Sequence, residues 1–115
     1  MDQKYRDSNI TFISPDGFEG LYDKLGYLVK KINQNFFNFD LWGFAENIQF
    51  TQYVAPTGKY DEHIDKCFNM QIRKLSIVVQ LSDPNDYDGC DLELLNMGEK
   101  KPTKMMRDRG TLIAF

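Results

Sequence analysis

The sequence predicts a mainly β fold backed by one helix, and three patterns carry that expectation. Apolar residues recur every three and four positions between about 15 and 35, the period falls to two from about residue 47 onward, and clusters of turn formers separate the later segments. With 115 residues, 42% apolar and 14% aromatic, the chain can build one core, so 1–115 is read as a single domain.

The helix is expected in "SPDGFEGLYDKLGYLVKKINQNF", where Phe18, Leu21, Leu25, Leu28, Val29 and Ile32 share one face. Ser14 is placed to act as N-cap with Pro15 at the first helical position. Lys30 and Lys31 sit where a helix C-terminus favours cations. The amphipathic stripe predicts packing on a sheet, and the aromatic link "FNFDLWGF" leads out of it.

Strands follow. "NIQFTQYV" sets Ile48, Phe50 and Gln52 against Gln49, Thr51 and Tyr53, and "RKLSIVVQLS" sets Leu75, Ile77, Val79 and Leu81 against Ser76, Val78 and Gln80. "SDPNDYDG" is a turn, "CDLELL" resumes a strand, "NMGEKKPT" is a loop, and "RDRGTLIAF" turns at Gly110 into a last strand. Because Leu112, Ile113, Ala114 and Phe115 read as a buried strand awaiting a neighbour, the domain is expected to be incomplete at its C-terminus. No internal repeat, low-complexity tract or linker interrupts the chain.

Charge excludes several classes. The 14 basic and 17 acidic residues are mixed along the chain, net −3, and leave no electrostatic footprint for nucleic acid or an anionic membrane. The apolar runs are too short to span a bilayer, and "MDQKYRDSN" has no signal-peptide character, so the chain reads as cytoplasmic. Cys67 and Cys90 are then expected as two free thiols.

Two tempting motifs fail on spacing. "PTGKY" has Tyr60 where a phosphate loop needs Ser or Thr, and Tyr53 where it needs its first Gly. In "DPNDYDGCDLE", Gly89 at position six of a calcium loop would put Pro84 at position one and Leu95 where a bidentate Glu belongs. A turn between strands accounts for it.

His63 is the only histidine in the chain, and Asp65 follows two places later. In an extended segment residues i and i+2 point the same way, so imidazole and carboxylate can reach one ion. Such a pair begins the 2-His-1-carboxylate facial triad of non-haem iron(II) oxygenases. A solvated turn histidine is the alternative reading.

The surroundings add a resemblance. "IQFTQYVAPTGKYDEHID" resembles the Y-x4-G-x-Y-x2-H-x-D block of the prolyl 4-hydroxylase-like group of iron(II)- and 2-oxoglutarate-dependent oxygenases. Upstream, "RDSNITFI" and "INQNFFNFDLWGFAENIQF" look like that group's lead-in. Downstream, "RKLSIVVQLSDPNDYDGCDLEL" looks like its strand, turn and GG-x-L strand, and "RGTLIAF" like the strand before its distal histidine. The likeness covers essentially the whole chain.

The resemblance implies a double-stranded β-helix, or jelly roll, backed by the N-terminal helix and missing its last strands. It implies a hydroxylase using Fe(II) and 2-oxoglutarate, with ascorbate as a possible accessory, acting on a peptidyl-prolyl or related peptide or small-molecule substrate. His63 and Asp65 would be metal ligands. Tyr53 would face 2-oxoglutarate, or else pack as an aromatic with a satisfied hydroxyl. Tyr60 and Arg73 would be scaffold. Gly89 matches the first glycine of the family's pair, but Cys90 replaces the second, and Cys90 is not read as catalytic. The distal histidine and the basic partner of the 2-oxoglutarate C5 carboxylate would lie past Phe115, so this 115-residue form is expected to be inactive. Open sheet edges would favour a homodimer. The competing reading is a jelly-roll interaction module without chemistry; a small unrelated α+β domain is a third.

Overall fold

The computed structural model describes residues 6–56, 58–60, 74–95 and 101–115. The chain forms two compact units, Met1–Lys74 and Leu75–Phe115.

In the first unit the strands are β1 (Arg6–Asp7), β2 (Asn9–Ile13), β3 (Ile48–Gln52) and β4 (Lys59–Tyr60), with helix α1 (Glu19–Ile32) between β2 and β3. The lead-in segment "RDSNITFI" supplies β1 and β2. Strand β2 pairs antiparallel with β3 in the register Asn9↔Gln52 to Ile13↔Ile48, and β1 pairs with β4 as Arg6↔Tyr60 and Asp7↔Lys59. Opposite residues share a face, so Ile13 with Ile48 and Thr11 with Phe50 form one side. At the far end of that side Asn9 Nδ2 donates to Gln52 Oε1 at 3.4 Å.

Helix α1 starts later than Ser14 and Pro15 suggest. The Phe18 N–H donates to the Pro15 carbonyl at 2.9 Å, closing a turn in which Gly17 takes φ +84°, a left-handed value that favours glycine. Ser14 Oγ accepts from the Asp16 N–H at 3.3 Å and is therefore used within this turn, while Phe18 becomes the N-cap without a side-chain hydrogen bond. Glu19 Oε1 accepts the Gly17 N–H at 3.2 Å. Bonds from its own N–H and from that of Gly17 hold the Glu19 carboxyl below its usual range.

The covered face of the helix carries Tyr22, Leu25, Val29 and Ile32, all half-buried, and leaves Phe18 and Leu21 at its exposed edge. The rings of Tyr22 and Phe44 meet edge to face, 5.2 Å between centroids. The Tyr22 hydroxyl donates to the Ile13 carbonyl and accepts the Ile48 N–H at 2.9 Å, which fastens the helix to the ends of β2 and β3.

The helix stop is built from asparagines. A wide turn over Asn33–Phe37 ends on Asn38 in the left-handed region, φ 56°, with its N–H on the Asn33 carbonyl at 2.7 Å. The Asn33 side chain then makes two 2.8 Å bonds to the backbone of Phe39, donating to its carbonyl and accepting its N–H. Asparagine tolerates this conformation because its short amide bonds locally.

In the second unit β5 (Ile77–Val79) pairs antiparallel with β8 (Leu112–Ala114), and β6 (Glu93–Leu94) with β7 (Thr103–Lys104). The outer ladder runs on through reciprocal bonds between Ser76 and Phe115, 2.7 and 2.9 Å. At its other end the Gln80 N–H reaches the Thr111 carbonyl while the Gly110 N–H reaches the Gln80 carbonyl. Two residues thus face one, a glycine-first bulge with Gly110 at φ +85°. Ile113, paired with Val78, is 9% exposed and is the one buried side chain among the described residues. In each unit an outer strand pair encloses an inner pair. Among the described residues, no helix is long and apolar enough to cross a membrane.

Candidate functional site

Tyr53 follows directly on β3, at the mouth of a tight turn. The Gly58 N–H donates to the Val54 carbonyl at 2.8 Å, and Ala55–Pro56, joined by a cis peptide, lie within the loop. Strand β4 begins at the next residue, Lys59, and carries Tyr60. Tyr53 is 38% exposed; Tyr60 is half-buried opposite Arg6 in the β1–β4 ladder. A half-buried position in a ladder suits the scaffold role that the resemblance gives Tyr60.

His63, Asp65, Cys67 and Arg73 lie outside the described residues. On donor chemistry alone, one imidazole and one carboxylate two residues apart would supply two of the three ligands of a 2-His-1-carboxylate iron(II) site, and the chain holds no second histidine. Among the described residues no group of three His, Cys, Asp or Glu side chains could hold a metal ion.

Gly89 and Cys90 both adopt left-handed backbone conformations, φ +67° and +55°. The backbone at Cys90 thus keeps a conformation that favours glycine although the side chain is cysteine. Desolvation first and the neighbouring Asp91 carboxylate second push the Cys90 thiol up, partly offset by Arg107. Such a thiol is poorly nucleophilic.

Sequence reasoning overlooked Arg107. Its guanidinium donates to the Tyr87 carbonyl at 2.8 Å, the Pro84 carbonyl at 3.4 Å and Asp91 Oδ1 at 3.3 Å, and lies 4.2 Å from the centre of the Tyr87 ring. Lys104 Nζ approaches the other Asp91 oxygen at 3.6 Å. Arg107 is 16 to 23 residues from these partners, so nothing local in the sequence marks the contact. Asp83 orders the same turn from within: its side chain accepts the Asn85 N–H at 2.9 Å and its carbonyl the Asp86 N–H at 3.0 Å. The arrangement holds the 84–91 turn in place as a structural clamp.

No known family, no curated protein and no solved structure matches this chain.

Proposed function

We propose that this chain is part of a non-haem iron(II), 2-oxoglutarate-dependent oxygenase that hydroxylates a peptidyl-prolyl or related substrate. The observation that carries the proposal is the ordered block Tyr53, Gly58, Tyr60, His63 and Asp65, in the spacing Y-x4-G-x-Y-x2-H-x-D. His63 and Asp65 would hold the metal, and Tyr53 would contact 2-oxoglutarate. When bound, iron would activate dioxygen, the oxidant, with 2-oxoglutarate as the cosubstrate that gives up two electrons on decarboxylation to succinate, and the protein would orient them and limit water. A jelly roll is part of the same proposal; the described strands form four antiparallel two-stranded sheets beside one helix.

The test is an anaerobic iron(II) titration with and without 2-oxoglutarate, following the visible charge-transfer band of the ternary complex. The band is expected in the native chain and lost in His63→Ala. Its absence under saturating conditions would make this 115-residue form a scaffold without a working site. Homodimerisation through sheet edges is the accompanying proposal, and a clean monomer by sedimentation at micromolar concentration would overturn it.

A further inference from the structure

We infer that Asp88 is a site of spontaneous backbone modification: its side chain closes on the Gly89 nitrogen and reopens as isoaspartate, while the same dipeptide at Asp16-Gly17 is held back by Glu19.

An Asp-Gly pair favours this chemistry because glycine has no side chain to hinder attack by its amide nitrogen. The nitrogen forms a bond to the aspartyl Cγ, the carboxyl group gives up one oxygen as water with the amide proton, and a five-membered imide results. Water then adds to the main-chain carbonyl of that ring and breaks its bond to the nitrogen, so the chain continues through Cγ. The water lost in the first step is regained in the second, and no oxidant or cofactor takes part.

The chain contains two such dipeptides, Asp16-Gly17 and Asp88-Gly89. They are matched in access: all four residues are exposed, both glycines are left-handed at φ +84° and +67°, and a Cβ on either glycine would meet nothing within 4 Å. The difference lies at the attacking nitrogen. The Gly17 N–H donates to Glu19 Oε1 at 3.2 Å, so that nitrogen must first leave a carboxylate partner, and the anion beside it opposes loss of its proton. The Gly89 N–H donates to none of the described residues. The net worth of one hydrogen bond corresponds to about two- to tenfold in rate.

The position of Asp88 gives the modification its consequence. Arg107 donates to the Tyr87 carbonyl at 2.8 Å on one side of the dipeptide and to Asp91 Oδ1 at 3.3 Å on the other. Isoaspartate adds one carbon to the main chain between these two anchors, so the change falls on the clamp that holds the 84–91 turn.

The experiment incubates the native chain, the native chain in urea, and Glu19→Ala near neutral pH. Isoaspartate is followed in the tryptic peptides 7–24 and 75–100 by chromatography with electron-transfer fragmentation, and circular dichroism verifies folding. In the folded native chain Asp88 is expected to convert about two- to tenfold faster than Asp16, and the two rates should converge in urea. In folded Glu19→Ala, the Asp16 rate should rise to that of Asp88. Conversion at Asp16 that equals or exceeds Asp88 in the folded native chain overturns the inference. A difference that persists in urea places its cause in the neighbouring sequence and overturns it equally. An unchanged Asp16 rate in folded Glu19→Ala removes Glu19 as the protecting group. Should that variant not fold, the comparison of the native chain with and without urea decides alone.

Discussion

Tyr22 accepts the backbone N–H of Ile48 at 2.9 Å through its phenolic hydroxyl, which joins the first turn of α1 to the first residue of β3. The same oxygen donates to the Ile13 carbonyl, so one side chain serves both members of the Ile13↔Ile48 pair. This position is part-buried, where a lost hydrogen bond leaves groups poorly solvated.

Tyr22→Phe keeps the ring against Phe44 and removes only the hydroxyl. It is expected to destabilise the first unit by about 1–2 kcal/mol. The specific readout is amide exchange at Ile48, which should accelerate in the variant; unchanged protection would refute the bridging role.

Arg107→Lys retains the charge but cannot reproduce three donor directions and ring stacking with a single ammonium. A loss of about 2 kcal/mol is expected, in the range for hydrogen bonds to charged groups. Chemical denaturation monitored at the second unit tests this. A midpoint equal to that of the native chain would mean that the Pro84, Tyr87 and Asp91 contacts are not cooperative.

Cys90→Gly is expected to stabilise, which is unusual for a change to glycine. Relief of a left-handed non-glycine residue is worth about 1–2 kcal/mol, against about 0.5–1 kcal/mol of added chain entropy, leaving a net gain of about 0–1.5 kcal/mol. In a Cys67→Ser background, Cys90 should also alkylate more slowly at pH 8 than free cysteine, because its raised pKa leaves less thiolate. Asp91→Asn should speed that reaction. Rates equal to free cysteine's would contradict the raised pKa of this exposed thiol.

Glu19→Gln gives a pH signature. The folded-state pKa is lowered, so the carboxylate's contribution is present above its unfolded pKa and is lost as pH falls through the folded value. The native chain should therefore exceed Glu19→Gln in thermal stability at neutral pH, and the difference should shrink as pH falls below the unfolded value of about 4.3 and vanish once the folded carboxyl is protonated. A difference that persists at lower pH would place its origin elsewhere than in ionisation.

Much of the local architecture was legible in the residues. The apolar spacing of Tyr22's neighbours Leu25, Val29 and Ile32 gave a helix, and alternation gave β3 and β5. The turn formers gave the 83–89 turn and the reversal at Gly110. The exact helix start was not legible, because Ser14 and Pro15 satisfy the rules for a cap equally well when Gly17 turns the chain between them and the helix. Strands as short as β1 and β7 carry too few residues to show a period.

The candidate site divides in the same way. Sequence alone determined which donors exist and their spacing, His63 with Asp65 and Tyr53 ten residues before His63, because covalent order is fixed by the chain. Only the tertiary structure decided that Gly58 is crowded by the backbone of Tyr53 and Val54, that Arg107 clamps a turn 16 to 23 residues away, and that Cys90 keeps a glycine-like conformation. Those facts depend on where the chain returns upon itself, and close approach between distant segments leaves no signature in the order of residues.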